Sequence, residues 1–591
     1  MEEIKRFLTL KGDQGRKSKQ AYKFCFCFRR IFKLKMAEPP QDIVDLFNDY
    51  SDNGVMTVEN LHKFLTEFQG ENHTIESAQD LFNRIKHLPV FLRRGLNLDA
   101  FFLYLLGEQN PPLDPPMVHH NMNKPLAHYF MYTGHNSYLT GNQLSSASSI
   151  EPIIKALKSG VKVIELDLWP SKRNKNDIVV CHGGTMTSPV ELNKCLEAIK
   201  ENAFDVSEYP VIITFEDHLD HLLQAKVAQM VSDIFGEMLY PGVEFVEFPS
   251  PEELKRRILI STKPPKESLD SFNEQENQEQ KIKNSTDRSG AVLGNVSGYR
   301  NYDEVDIPIK QDNEEAEEEA AAPEYKHLIA IHAHKLEHGL DNLLNDNNSR
   351  RVARLSMSEE KLKNSVKTHA TDIVRFTQKN LLRVYPKGTR ILSSNYNPLI
   401  GWTHGAQMVA FNMQGYEKNT WIMQGMFRAN GGCGYVKKPD FLLSNKAFDP
   451  SIKRPVKKTL KVTLYMGDGW HLEFRRTHFD PFSPPDFFTK VEICGVPADI
   501  KKEQTVPIED QWVPMWNKKF EFPLTAPDIA LLRIEVCEFD LDRRHGFGGQ
   551  TCLPVSELKS GIRAVPLFGK KGEKFEHVKL LMRFQLLPGV Y

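Results

Sequence analysis

The sequence predicts a multidomain α/β protein: a (β/α)8 barrel split by a disordered acidic linker, with a helical lobe before it and an all-β sandwich after it. Three observations lead there. At 591 residues the chain is too long for one core and implies three or four domains. From about Pro125 to Leu443, short apolar runs alternate with helix-like segments, the rhythm of a parallel sheet. Beyond about Pro455 that rhythm gives way to short strands separated by Pro, Gly and Asp turns.

Residues 1–36 read as a basic tail, with eleven Lys or Arg against three acids and the interleaved run KFCFCFRRIFKLK. Such a segment suits solvent, or an anionic membrane surface where each basic residue contributes about 1 kcal/mol and Phe side chains can insert. On a membrane, Cys25 and Cys27 become acylation candidates. Residues 37–109 read as a helical lobe. Asp49, Ser51, Asn53 and Gly54 fall at positions 1, 3, 5 and 6 of a calcium-loop template, which makes the lobe EF-hand-like. Position 12 is Asn60 where tight binding needs a bidentate Glu, so a scaffolding role is expected. NPPLDPP (110–116) is a connector.

The barrel is expected in two halves, 117–266 and 324–445. Its eight strand candidates are LAHYFMYT (126–133), VKVIELDL (161–168), DIVVCHG (177–183), PVIITFED (210–217), RILISTK (257–263), HLIAIHA (327–333), LLRVYPK (381–387) and AQMVAFNM (406–413). Ser188-Pro-Val-Glu191 reads as a capping box opening the helix VELNKCLEAIKENAF. Residues 267–323 end in DNEEAEEEAAAPE and are too polar to repay chain ordering, so they read as an insertion between strands five and six. The acidic run could lie across a basic pocket mouth as an inhibitory flap or stay solvated. Residues 455–591 hold the sandwich.

Polar residues gather at the C-terminal ends of the early strands, where such folds keep their chemistry: His135, Asn136, Glu165, Asp167, His182 and Glu216. Asn136, Glu165, Asp167 and Glu216 form a hard-ligand set suited to calcium or magnesium. A zinc alternative would use His218 and His221. His135 and His182 add proton-transfer capacity near neutral pH. Lys263, Arg383 and Tyr385 suit phosphate and a sugar or inositol face. Ser356 is either a phosphate donor or the start of a second capping box ending at Glu359. Together these residues describe phosphodiester cleavage.

The 76 basic and 77 acidic side chains nearly cancel, so no global field argues for nucleic acid. The eight Cys show no CxxC pair, and no apolar segment approaches the ~20 residues of a membrane span. The first 36 residues lack an uninterrupted apolar core of a signal peptide. A cytoplasmic, soluble monomer is expected.

The motifs GHNSYLTGNQL (134–144), VIELDLW (163–169), HGGTMTS (182–188), ITFEDH (213–218), LSMSE (355–359), RVYPKGTR (383–390), SSNYNP (393–398) and NGGCGYVKKPDFL (430–442) closely resemble the eukaryotic phosphoinositide-specific phospholipases C. They fall in the family's order across its X and Y halves; the acidic insertion matches the X–Y linker and the sandwich its C2 domain. The compact layout looks like plant-type members. The resemblance implies calcium on Asn136, Glu165, Asp167 and Glu216. It implies inositol 2-hydroxyl attack on the 1-phosphate, giving diacylglycerol and a cyclic phosphodiester that water opens to inositol trisphosphate. His135 would stabilise phosphorus charge, His182 would protonate the glycerol oxygen, and Glu165 is the base. Lys263, Ser356, Arg383 and Tyr385 match residues holding the inositol ring and its 4- and 5-phosphates. The resemblance further implies an anionic phosphoinositide membrane as partner, at the cytosolic face of the plasma membrane.

Two departures stand out. Many animal members carry a second Lys two residues before the match to Lys263, where this chain has Ser261; that removes a cation from the headgroup site. In the C2 segment, Asp480 and Asp486 match the first calcium loop, and Glu538, Asp540 and Asp542 the third. The acidic pair before the Phe-Gly is here His545-Gly546, with Arg543 and Arg544 preceding, so fewer or weaker C2 calcium ions are expected. Two rivals remain: an inactive phosphoinositide-binding scaffold, which should have lost a histidine or ligand, and a calcium-independent cyclising phosphodiesterase of the bacterial kind, which needs a basic residue in place of the metal.

Overall fold

The computed structural model describes residues 38–86, 95–263, 322–334, 351–446, 448–474, 479, 483–540 and 545–589, with the backbone of 19–24 and 28–33. At the N-terminus, β1 (Lys19–Phe24) pairs antiparallel with β2 (Phe28–Lys33), so the segment read as a tail contains a hairpin. Cys25 and Cys27 lie outside the described residues, as does the acidic stretch up to residue 321.

The lobe that follows is built from helices Gln41–Asp49, Val58–Lys63, Ile75–Lys86 and Leu98–Leu105. Their apolar faces close around Phe47, Phe64, Leu65 and Phe101. Met56 and Leu96 exchange backbone hydrogen bonds of 2.8 and 2.9 Å, the short bridge that ties two loops of an EF-hand-like pair together. Asn60 serves as a cap: its Oδ1 accepts from the Thr57 N–H at 2.9 Å while its own N–H donates to Thr57 Oγ1 at 3.3 Å.

Eight parallel strands form the central barrel: β3 (Tyr129–Gly134), β4 (Val163–Pro170), β7 (Val211–Asp217), β8 (Ile258–Thr262), β9 (Ile329–His334), β10 (Arg354–Ser358), β11 (Leu381–Tyr385) and β12 (Met408–Phe411). The ring closes where β12 pairs with β3, Met408 opposite Met131, and where Thr133 of β3 meets Val163 of β4. The run at 177–183 is not a barrel strand. It forms β5 (Ile178–Val180), which turns back antiparallel on β4 and continues into β6 (Val190–Glu191). Its place in the ring belongs to β10, whose only apolar residues, Leu355 and Met357, face the helices. The count of eight therefore holds with one strand exchanged, and the insertion falls between barrel strands four and five rather than five and six.

Both capping boxes are corrected too. Because Val190–Glu191 is drawn into the β5–β6 pairing, the next helix begins at Leu192 with no side-chain cap. Ser358, not Ser356, caps helix Glu359–Lys379, accepting from the Lys361 N–H at 3.2 Å. A short β13 (Tyr435–Lys437) adds antiparallel to the outside of β3.

The C-terminal sandwich comprises β14 (Lys458–Asp468), β15 (Phe487–Cys494), β16 (Lys501–Gln504), β17 (Met515–Leu524), β18 (Leu531–Glu538), β19 (Gly546–Pro554), β20 (Gly561–Phe568) and β21 (Lys574–Pro588). All its pairings are antiparallel, around a core that includes Trp470, Phe487, Val491 and Phe522. Cys494, Val496, Leu531 and Cys552 join the barrel's core, and Tyr465, Met466, Ile562 and Leu581 join the lobe's. The sandwich thus cements lobe to barrel. On the lobe side, fully buried Arg563 pairs with Glu71, and Asn110 Nδ2 donates to Ile562 O at 2.9 Å.

Candidate active site

Strand alternation decides which side chains share the lumen. Ile164, Leu166 and Leu168 of β4 and Val211, Ile213 and Phe215 of β7 pack outward against the helices. Met131, Val163, Ile212, Leu259, Leu381 and Met408 fill the lower lumen. One step up each strand on the inward face, the residues turn polar: Glu165 and Asp167, Thr214 and Glu216, Ser261 and Lys263, Ser356, Arg383 and Tyr385. The barrel is a packed apolar plug with a polar cup on top.

Glu165, Asp167 and Glu216 present carboxylate oxygens that all lie within 4.8 Å of one another. Glu165 and Asp167 are almost fully buried, and Asp167 Oδ1 has no hydrogen-bond partner. Tyr138 OH donates to Asp167 Oδ2 at 2.7 Å. Burial, reinforced by Glu216 and Glu165, pushes the Asp167 carboxyl well above the usual range. Glu216 is held low, first by its hydrogen bond with His218, at 3.1 Å. Asn136 completes the set from a left-handed backbone conformation, φ +43°, that a non-glycine residue adopts only when its surroundings impose it. Its N–H donates to Glu165 Oε2 at 3.2 Å, and its Nδ2 donates to Gln143 Oε1 at 3.1 Å, leaving Oδ1 as the remaining ligand atom.

These donors fit a hard cation. Three clustered carboxylates repel one another, one buried oxygen lacks any partner, and among the described residues no cysteine joins the cluster; calcium's oxygen preference matches that set. The zinc alternative does not assemble: His218 lies flat on the Trp169 ring, 3.9 Å between centroids, and His221 opens helix His221–Phe235. A second cluster, His119, His120 and Glu557, sits at the seam with the sandwich. There the Lys437 N–H donates to His120 Nδ1 at 3.2 Å, which makes Nε2 a donor to Glu557 and the cluster an internal clamp.

Both histidines are oriented through one ring nitrogen. His135 Nδ1 meets Asn412 Oδ1 at 3.0 Å; because that oxygen also accepts from Gln143 Nε2, Nδ1 carries the proton and Nε2 faces Glu165 Oε2 at 4.0 Å. Burial lowers the His135 pKa, opposed by Glu165. His182 sits on the β5–β6 excursion and donates Nδ1–H to Gln143 O at 2.7 Å, so that Nε2 is the ring nitrogen left for proton transfer. Gly183 behind it admits no side chain, since a Cβ there would stand 2.0 Å from the Trp169 ring.

Of the headgroup candidates, Arg383 pairs with Glu165 and its Nε has no partner; its guanidinium carbon lies 5.4 Å from the Tyr385 ring centre. Ser356 Oγ is buried without a partner, which favours its reading as a donor to phosphate. Lys263 is exposed at the end of β8. In the sandwich, Asp486 Oδ1 accepts from the Asp510 N–H at 2.8 Å and Glu538 is buried. Asp540 follows it, its N–H donating to His545 Nδ1 at 3.3 Å. Asp480 and Asp542 lie outside the described residues. Sequence reasoning missed Tyr138, Gln143 and Asn412, of which the first two stand inside the first quoted motif.

Known proteins resemble this chain along nearly its whole length. Residues 122–264 match the family description "Phosphatidylinositol-specific phospholipase C, X domain", and 326–441 match the corresponding Y domain. Residues 458–567 match the C2 domain and 34–114 "Phosphoinositide-specific phospholipase C, efhand-like". The chain is 54% identical over 596 residues to Phosphoinositide phospholipase C 2 of Arabidopsis thaliana, covering 96% of this chain and 100% of that one. It is 31% identical to human 1-phosphatidylinositol 4,5-bisphosphate phosphodiesterase delta-3, covering 94% of this chain and 69% of that one. The crystal structure of L. pealei PLC21 superposes with a TM-score of 0.71 at 27% identity, over 93% of this chain and 69% of that one.

Proposed function

From the premise that the chain belongs to the phosphoinositide-specific phospholipase C family and is a phosphodiester hydrolase of phosphoinositides, phosphatidylinositol 4,5-bisphosphate included, we propose that it works through a calcium ion held by Asn136, Glu165, Asp167 and Glu216. The observation that carries this is the orphaned Asp167 Oδ1 among three crowded carboxylates. Calcium bound there supplies positive charge that acidifies the inositol 2-hydroxyl and stabilises negative charge on phosphorus.

The chain's own groups move the protons. Glu165 takes the proton as the 2-hydroxyl oxygen forms its bond to the 1-phosphorus. His182 Nε2 protonates the glycerol oxygen as the phosphorus–oxygen bond to it breaks, releasing diacylglycerol; the Gln143 carbonyl keeps that nitrogen pointed correctly. Water then opens the cyclic phosphodiester to inositol 1,4,5-trisphosphate with the two roles reversed. His135, fixed by Asn412, stabilises the phosphoryl charge. Lys263, Ser356 and Arg383 hold the ring phosphates, and Tyr385 lies against the ring.

We place this work, by a monomer, at the cytosolic face of the plasma membrane. No helix among the described residues is long and apolar enough to cross a membrane, and a C2 domain supports peripheral association. Met186 and Leu392, 81% and 80% exposed, stand beside the cup with Leu144 and Ile391, because the Met186 N–H bonds Leu144 O and the Gln143 N–H bonds Ile391 O. This apolar rim suits an acyl boundary. The basic N-terminal segment supplies further attraction for anionic lipid.

Inositol phosphate release from mixed micelles tests the reading. Release in calcium and none in chelator is expected, with His135→Ala falling about 100-fold or more. Turnover that persists in chelator rejects the metal assignment, and near-normal His135→Ala turnover rejects the histidine's role.

A further inference from the structure

Arg354 is a charged group that neither the packing nor the calcium chemistry accounts for. It stands on the inward face of β10, two residues below Ser356, and is 4% exposed. Its Nη1 donates across the lumen to Thr214 Oγ1 at 3.2 Å, and its Nε has no partner. Among the described residues no carboxylate pairs with it; Glu165, the nearest acid by strand register, is taken by Arg383. Burial, and then the like charge of Arg383, pull the guanidinium down to about 9, so it still carries its proton at neutral pH. A desolvated cation without a counter-charge is costly, and an arriving anion removes that cost.

The surroundings say where the anion arrives. Thr214 is the register partner of Ser261, so the guanidinium reaches the floor beneath Lys263. Ser261 offers nothing upward, since its Oγ donates to Ile331 O at 3.0 Å. Directly above Arg354, Ser356 has an unpartnered Oγ, and Ser356 is the register partner of Arg383, whose Nε is also unpartnered. Donors without acceptors therefore line one wall of the cup from floor to rim.

We propose that Arg354 is a specificity-determining residue whose guanidinium forms the floor of the headgroup subsite and binds a phosphate on the inositol ring, favouring phosphorylated headgroups over phosphatidylinositol itself. The proposal rests on the phospholipase reading above. A planar fork engages phosphate oxygens two at a time, which neither serine nor threonine can do.

The full chain carrying Arg354→Met, of similar length and apolar, is assayed on micelles of phosphatidylinositol and of phosphatidylinositol 4,5-bisphosphate, and titrated calorimetrically with inositol 1,4,5-trisphosphate. Loss of one charge-assisted contact predicts an about 10- to 100-fold fall in the ratio of kcat/KM values, carried by KM, with matching weakening of trisphosphate binding. Arg354→Lys should retain part of the ratio. Adding Ser261→Lys to Arg354→Met should restore part of it, because the ammonium rises from the strand next to Thr214. A ratio unchanged in Arg354→Met, whether total activity holds or drops, overturns the proposal. A variant that only binds calcium more tightly overturns it as well, because the guanidinium would then serve merely to balance the carboxylates. A wild type that binds the trisphosphate without releasing inositol phosphate, and loses that binding in Arg354→Met, breaks the phospholipase reading and upholds this one.

Discussion

The barrel mouth and the loop at 49–60 both bring oxygen-bearing side chains to spacings that suit calcium, and they use them differently. In the barrel, neighbouring strands force Glu165, Asp167 and Glu216 to within 4.8 Å and leave Asp167 Oδ1 desolvated and unbonded. In the lobe, Asp49 and Asn53 are exposed to water, and Asn60 spends its amide on Thr57 and, through Nδ2, on Asp52 Oδ2 at 3.4 Å. A cation gains most where the fold has stripped donors of water and given them nothing else to bind. Spacing in the chain is the weaker criterion.

The largest test of that contrast is Asp167→Asn. It removes one charge from the trio while keeping the shape, so kcat/KM should fall about a thousandfold. In chelator the same variant should melt higher than wild type, because the repulsion that burial and the neighbouring carboxylates place on Asp167 is relieved. Saturating calcium should reverse the order. Equal melting temperatures in chelator would mean that the carboxylates are not in conflict in the empty site.

Acids in the lobe are expected to work by packing rather than metal binding, and Glu71 shows how. Burial alone would raise its pKa, but Arg563 and Lys559 hold it below the usual carboxylate range. Its Oε1 meets Lys559 Nζ at 2.9 Å as well as the buried Arg563. A depressed folded pKa gives stability that is fully present above the unfolded value, about 4.3, and is lost as pH falls through the folded value. Glu71→Gln should cost about 3 kcal/mol by leaving Arg563 with no carboxylate, and should flatten the acid limb of a melting-temperature profile. Its calcium titration should match wild type; a changed titration would move the lobe toward the barrel's behaviour.

How far all this was legible in the sequence follows from what each residue faces. Strands buried on both sides wrote themselves as continuous apolar runs such as VIELDL and VIITF, and their polar interruptions marked the lumen. The strand β10 escaped because its inward residues, Arg354, Ser356 and Ser358, are all polar, leaving only two apolar letters. The segment Ile178–Val180 reads as a barrel strand in the sequence because an antiparallel excursion buries the same kind of side chain. Gln143 and Asn412 act through contacts 269 residues apart in sequence, which no local pattern can report. Resemblance supplied the pairing of residues with roles; the structure supplied the hydrogen bonds that hold them.

The sandwich loops lie between the two extremes. Glu538 is buried, as Glu165 and Asp167 are, yet Asp486 already accepts a backbone N–H from Asp510, as the lobe's residues are already engaged. An intermediate dependence follows: Glu538→Gln should raise the calcium needed for half-maximal binding to anionic vesicles by about tenfold or less. Binding in chelator should persist through the basic N-terminal segment. A C2-dependent requirement for micromolar calcium, abolished by this one change, would place the sandwich with the barrel.

The smallest effect belongs to Asn60. If its amide is a helix cap and not a ligand, Asn60→Ala removes the acceptor for the Thr57 N–H and costs about 1 kcal/mol, a shift of a few degrees in melting at most. Activity and the calcium isotherm should not move. Asn60→Asp keeps an acceptor at the same position and should recover the stability, even though it adds a charge that a calcium loop would use. If Asn60→Asp instead created a second calcium step in calorimetry, a single carboxylate would suffice to make the exposed loop a site, and desolvation would lose its place as the deciding difference between lobe and barrel.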